Sequence, residues 1–164
     1  MKEKENFSRY GKAFQEGLVQ LIFEDRPFAD QITEVLDINF LELEYLRVFA
    51  SKIVNYREKY GTHPSTQTTN TMLRTDLDSE NEVICKQVKD YFTKICSIEI
   101  RDGEYIKEQS LDFCRKQNLK EAMLKSVNLL QSCSFDEISK TINDSLKLGS
   151  DNNFGYDYLA DFEQ

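Results

Sequence analysis

The chain has 164 residues, 29 acidic and 21 basic side chains, one His and a formal net charge of −8. That length suits one domain, at most with an appendage, and 40% apolar with 12% aromatic residues is enough to bury a core and excludes wholesale disorder. The acidic balance argues against a sequence-independent duplex binder, which needs a basic face, and leaves room only for a small basic patch.

Eleven Phe and eight Tyr beside only six Gly and two Pro argue against a turn-rich all-β chain. No stretch approaches the ~18 apolar residues of a membrane span. The start, Met1 to Asn6, is charged and leads into no apolar run, so it is not a signal peptide. Cys85, Cys96, Cys114 and Cys133 form no C-x-x-C pair and read as reduced thiols on helix faces.

The dominant period is helical. Phe14, Leu18, Leu21 and Ile22 fall at i, i+4, i+7 and i+8, which predicts an amphipathic helix over 7–24. Asp25-Arg26-Pro27 breaks it, and Pro27 suits the first turn of a second helix carrying Phe28, Ile32, Val35 and Leu36. Asp37 to Phe40 reads as a connector, and Leu41, Tyr45, Val48, Phe49, Ile53 and Tyr56 form a long third stripe. Gly61-Thr62-His63-Pro64 stops that helix, and Ser65 is a candidate N-cap for a polar helix ending near Thr75. Ser79 with Glu82 fits a capping box ahead of Ile84, Val88, Tyr91, Phe92 and Ile95.

After the turn at Arg101-Asp102-Gly103, the absence of Gly and Pro from Glu104 to Gln131 allows a helix of up to ~28 residues, about 42 Å long. Ser134 with Glu137 is a second capping box, and Ile138, Ile142 and Leu146 continue to a stop at Leu148-Gly149. The expected architecture is all-α: a compact multi-helix head over 1–100, an antiparallel helical hairpin over 104–148, and a segment over 149–164. That last segment opens on a flexible joint, Gly149 to Asn153. Beyond it Phe154, Tyr156, Tyr158, Leu159 and Phe162 lie among acids with no Lys or Arg, an aromatic tail that needs a surface to dock on. The chain stops in mid-pattern at Phe162-Glu163-Gln164, as a piece of a longer polypeptide would.

Catalytic motifs are missing from the sequence. It has no G-x-x-x-x-G-K-[ST], no G-x-G-x-x-G, no nucleophile elbow and no H-E-x-x-H. The single His63 reads as an exposed loop residue, and a zinc site needs a tighter cluster and more than one His. The pairs Glu42/Glu44 and Asp136/Glu137 read as solvated faces or caps, and Thr66 to Thr69 as an exposed first turn. Arg115, Lys116 and Lys120 lie along the long helix with Lys125. Their simplest role is a solvated face paired to acids such as Glu121, with phosphate contact the alternative. Leu119, Met123, Val127 and Leu130 repeat on one face of that helix, and Ile138, Ile142 and Leu146 on its partner. Two helices bury only one stripe between them, so the rest should serve self-association, the rival reading being that the head covers them.

Several weak motifs in order carry a resemblance: Gly17 to Asp25, Asp37 to Phe40, the Val48-Phe49 pair, and Gly61, Pro64 and Leu73 around a short helix. Together they resemble the N-terminal domain of DnaB-type replicative helicases, best in the bacteriophage branch, where Asn153 to Phe162 is similar to the linker before the motor. The likeness is good over 14–75 and looser over 104–164. It implies a collar domain on a hexameric ring, built of dimers, that docks primase or a helicase loader in the cytoplasm of an infected bacterium. Contact with single-stranded DNA would be weak or indirect. It implies no catalytic residue, metal or cofactor here; ATP and Mg belong to a RecA-like motor missing from this sequence. A stand-alone all-α phage replication adaptor, such as a helicase loader, and an unrelated helical scaffolding protein fit the same helices. The downstream reading frame separates them, and a loader should carry a stronger basic face.

Overall fold

The computed structural model describes residues 5–132 and 134–149. Among these there are seven α-helices, two 3-10 turns and no strand, as the all-α pattern requires. The helices are α1 (Lys12–Glu24), α2 (Arg26–Ile32), α3 (Glu44–Tyr60), α4 (Thr66–Thr75), α5 (Glu82–Ile95), α6 (Gly103–Leu130) and α7 (Phe135–Lys147). The chain divides into two compact units, the first running to Ala29 and over Asp37–Glu108, the second comprising Asp30–Leu36 and the chain from Gln109 on.

In the first unit α1 packs on α3 and α3 on α5. Leu18 and Ile22 of α1, Leu46, Phe49 and Ile53 of α3, and Val88 of α5 are fully buried. Phe49 is the centre of an aromatic cluster, edge-on to Tyr91 at 5.4 Å and to Phe23 at 5.8 Å, with Phe92 at 6.0 Å. Such edge-on pairs each add about 0.5–1.5 kcal/mol to the burial term.

The predicted first helix is in fact two pieces, a 3-10 turn at Phe7–Tyr10 and α1. They part at Gly11, whose φ of +87° only glycine adopts cheaply. Gln15, buried at this break, compensates for the lost helical bonds. Its Nε2 donates to the carbonyls of Phe7 (3.3 Å) and Gly11 (3.2 Å), and its Oε1 accepts the Glu42 N–H at 2.8 Å. Asp25 caps α2 by accepting the Phe28 N–H at 3.1 Å, with Pro27 in the first turn. The connector at Asp37 is a 3-10 turn, Ile38–Phe40, capped by that aspartate.

Gly61 ends α3 in the left-handed region at φ +67°, and Ser65 caps α4 through the Thr68 N–H, both as the sequence predicts. Two expectations here are corrected. Thr69 is fully buried, its hydroxyl donating to the Ser65 carbonyl at 2.8 Å, so the Thr66–Thr69 turn is not wholly exposed. The cap of α5 is Asn81, whose Oδ1 accepts the Ile84 N–H at 2.8 Å. The helix starts at Glu82, three residues after Ser79, so the Ser79 box is not formed.

Glu16 ties three elements of this unit together. Its Oε1 accepts the Tyr45 hydroxyl at 2.7 Å, its Oε2 accepts Lys94 at 2.7 Å, and its backbone carbonyl accepts the Tyr91 hydroxyl at 2.6 Å. Burial pushes the Glu16 carboxyl up, but the hydrogen bonds from Lys94 and Tyr45 and the charges of Lys94 and Lys12 outweigh it and hold the group below its usual 4.5. Burial, then Glu16, pushes the Tyr45 and Tyr91 hydroxyls far above their ordinary range.

In the second unit α6 runs from Gln109 with a buried row that steps by four: Ser110, Cys114, Ala122 and Ser126, with half-buried Asn118 between. Asn118 Nδ2 donates to the Val35 carbonyl at 2.9 Å, which fixes the Asp30–Leu36 segment on α6. After α7, Gly149 is held from both sides. Its N–H donates to Glu34 Oε2 at 3.1 Å and its carbonyl accepts Gln31 Nε2 at 3.0 Å. A Cβ there would come within 3.4 Å of Arg115 Cγ. The end of α7 therefore lies beside Arg115 while its start follows Leu130, which makes the hairpin antiparallel as predicted. Gly149 itself is a pinned position rather than a flexible joint. Ser134 stands at the α7 N-terminus, but its side chain makes no capping bond and meets the Ser132 hydroxyl at 3.1 Å instead, so the second capping box is not formed.

Two stability predictions follow from these contacts. The Glu16 pKa is lower folded than unfolded, so its contribution is complete above about pH 4.5 and is lost as pH falls through the folded value. Denaturation of Glu16→Gln should show a shallower acid loss than the parent and a deficit of about 1–3 kcal/mol at pH 7; an acid profile as steep as the parent's contradicts this. Gly149→Ala should destabilise, although Gly→Ala usually stabilises where the backbone allows it. Position 149 sits at φ +66°, and a Cβ would lie 2.7 Å from Val35 Cγ1. Thermal unfolding should register a loss of about 1–2 kcal/mol from the left-handed conformation.

Candidate functional site on the helical hairpin

The hairpin seam explains the surface that α6 presents. The inner row of α6 is made of small or polar side chains, Ser110, Cys114, Asn118, Ala122 and Ser126. The large apolar residues are displaced by one position, beside the row rather than in it. Met123 and Val127 each follow a buried small residue, Ala122 and Ser126, and both are exposed, as is Leu130. Leu119 on the same stripe is half-buried. On α7, Ile138 and Ile142 are half-buried and Leu146 is exposed.

Three further apolar side chains of the hairpin segment are exposed and were not picked out by periodicity: Leu124, Leu148 and Phe135, the last 70% exposed. Leu124 adjoins Met123 off the main stripe, and Phe135 is the first residue of α7, where no preceding turn reveals a pattern. An apolar residue directly after a serine cap is the one signal for it.

At the inner edge of the seam Ser145 is buried, and its hydroxyl has no hydrogen-bond partner among the described residues. Ser126, in the same kind of position, donates to the Ala122 carbonyl at 2.8 Å.

The basic residues of α6 fall where the spacing puts them. Arg115, Lys116 and Lys120 are all exposed, with Lys116 and Lys120 one turn apart. Lys116 pairs with Asp112 at 2.9 Å, one turn earlier on the same helix. Exposed pairs of this kind contribute at most a few tenths of a kcal/mol.

His63 departs from its expected role as an exposed loop residue. Its Nδ1 lies 2.7 Å from Arg57, and its Nε2 bonds the Phe23 carbonyl. Arg57 can only donate and the carbonyl can only accept, so these partners place the ring proton on Nε2. The ring ties the loop after α3 to the end of α1 and serves the fold. Glu42, Glu44, Asp136 and Glu137 are exposed, as expected of solvated faces. Cys85, Cys96 and Cys114 form no disulfide, and burial, with Glu24 nearby, raises the Cys96 thiol. No group of three His, Cys, Asp or Glu among the described residues could hold a metal ion, and none of the described helices is long and apolar enough to cross a membrane. Phe154, Tyr156, Tyr158, Leu159 and Phe162, the expected docking residues of the tail, lie outside the described residues, as does Cys133.

What the hairpin can do chemically is bind. It offers a stripe of long, flexible apolar side chains on rigid helix, flanked at its N-terminal end by Lys116 and Lys120. No family model matches the chain, and neither a curated protein nor a solved structure is similar to it.

Proposed function

We propose that this chain is a non-catalytic collar module of a replicative DNA helicase of the DnaB type. It self-associates through the hairpin and offers the resulting surface to a primase or loader. The observation that supports this reading is the displaced stripe of Met123, Val127, Leu130 and Leu146, exposed beside a seam of small residues. Stripes of this length on soluble chains are usually covered by a partner. A second copy is the occupant in this reading, because two identical hairpins facing about a two-fold axis bury the same stripe twice. The basic end at Lys116 and Lys120 lies next to the stripe, and Glu121 stands on the same helix to meet it from the other copy. The all-α fold followed by an antiparallel hairpin agrees with the resemblance drawn from Gly17 to Leu73.

Chemistry on ATP is assigned elsewhere under this reading. This sequence has no glycine loop to cradle a phosphate, so ATP and magnesium belong to a motor domain and no residue here is given a part in hydrolysis. The purified chain should show no ATPase activity above a buffer blank.

The deciding experiment replaces Met123 and Val127 with Asp and measures particle mass by light scattering, with far-ultraviolet circular dichroism as the fold control. The expected result is a parent larger than one chain and a variant that falls to a single chain with its helicity kept. An unchanged mass with intact helicity overturns the self-association reading.

A further inference from the structure

The first unit contains a groove between α3 and α4 of about 410 Å³, lined by Lys52, Asn55, Tyr56, Lys59 and Tyr60 from α3 and by Thr68, Thr71, Met72 and Thr75 from α4, with Asp76 at its end. That volume is within the range of small-molecule sites. Its two walls differ in chemistry. On the α3 side Tyr60 is 58% exposed, an unusual state for a large ring. It leans on Tyr56 with ring centroids 4.6 Å apart, and Lys59 Nζ stands 5.3 Å from its ring centre. Lys52 spends one of its three N–H bonds on the Asp76 carbonyl at 2.9 Å. On the α4 side the hydroxyl protons are committed to the helix. Thr71 donates to the Gln67 carbonyl at 3.2 Å and Thr75 to the Thr71 carbonyl at 3.0 Å. The Thr71 oxygen can then only accept toward the groove, while the Thr75 hydroxyl also lies 3.1 Å from Asp76 Oδ1 and can donate to it instead.

A ligand matching this groove has a flat face for Tyr60, a negative charge for Lys52 and Lys59, and polar hydrogens for Thr71, Thr75 and the Asp76 carboxylate. A bare anion meets an acceptor wall, and a hydrocarbon leaves two ammonium groups facing it. A nucleotide supplies all three: a base to stack, a phosphate, and an exocyclic amine. We infer that the α3–α4 groove binds one nucleotide unit, its base stacked on Tyr60 and its phosphate between Lys52 and Lys59. The chemistry is common to a free nucleotide and to one residue of a single strand. The net charge of −8 sets the scale: with two lysines as the phosphate contacts, binding is weak and its log–log salt slope is no steeper than about −1.4.

The site does not depend on the collar reading, and its test is separable from the mass measurement above. Fluorescence anisotropy of a labelled ten-nucleotide deoxyadenosine strand is titrated with the chain at low salt, and unlabelled AMP is added as competitor. Tyr60→Ala should weaken binding about ten-fold, the value of one stacked base, while Tyr60→Phe keeps it. Lys52→Gln with Lys59→Gln should flatten the salt dependence. Both aromatic variants should keep the parent's helicity and particle mass. Strand binding that AMP displaces only at far higher concentration identifies the strand as the source; AMP binding without strand binding identifies the free nucleotide. No binding of either probe, or equal binding by Tyr60→Ala and the parent, overturns the inference.

Discussion

The first unit depends on the polar side of one helix. α1 is fully packed along its apolar stripe, yet it also carries Gln15, Glu16 and Gln20, three polar side chains that burial would make costly without partners. Each is placed where a neighbouring segment has backbone or charge to satisfy. Gln15 holds the 3-10 turn and the Glu42 amide, Glu16 takes Tyr45 from α3 and Lys94 from α5, and Gln20 Nε2 donates to the carbonyl of Ile95, the last residue of α5, at 3.4 Å and to that of Ile98 beyond it at 2.7 Å. Past these, the Phe23 carbonyl takes His63, and Asp25 takes Lys107 at 2.6 Å. Apolar burial supplies most of the driving force, but it is non-directional. These directional bonds select one arrangement of the neighbouring segments around α1 and disfavour slipped packings of the same stripes.

The second unit solves a different problem. Its long helix has too many large apolar residues for one seam, and the seam is occupied by small ones. Small residues along the seam forgo the burial that Leu or Met would contribute there. In exchange the large side chains stay at the surface on a helix whose register is fixed at Asn118. At the far end the two bonds to Gly149 hold the hairpin closed without a large core, and they tolerate no side chain at that position. A surface built this way is rigid in backbone and adaptable in side chain, since Met and Leu repack readily.

Helix existence was legible in the sequence wherever the apolar period was long. The 28-residue α6, the stop at Gly61 and the Ser65 cap are examples. What escaped were choices between local options of similar energy. Ser79 and Asn81 are both good caps, and only packing of Ile84 decides between them. Gly11 inside an apolar period looks tolerable, and the break there depends on a glutamine amide supplied from within α1 and an amide at Glu42, contacts no local pattern encodes. His63 looked exposed because its partners, Arg57 and the Phe23 carbonyl, come from different elements. For the hairpin the stripe of Leu119, Met123, Val127 and Leu130 was legible, but its displacement from the seam was not, because periodicity marks a face without saying which edge of it is buried.

Perturbed titration usually points to a reactive centre, and here it does not. Burial pushes the Asp25 carboxyl up, but the Lys107 hydrogen bond, the Phe28 amide and the Lys107 charge hold it below its usual value. The bond to Asp25 in turn raises Lys107. Glu16, Tyr45 and Tyr91 are shifted by burial and by one another. In each case burial and a partner within the fold act on the group, and its hydrogen bonds go to partners within the fold. The Tyr60 groove differs: its ring is exposed with Lys59 Nζ over it, and Lys52 and the α4 threonines line the same open groove. The charged groups of α1 are thus bound within the fold, while Tyr60 and the stripe residues Met123, Val127 and Leu130 stay exposed.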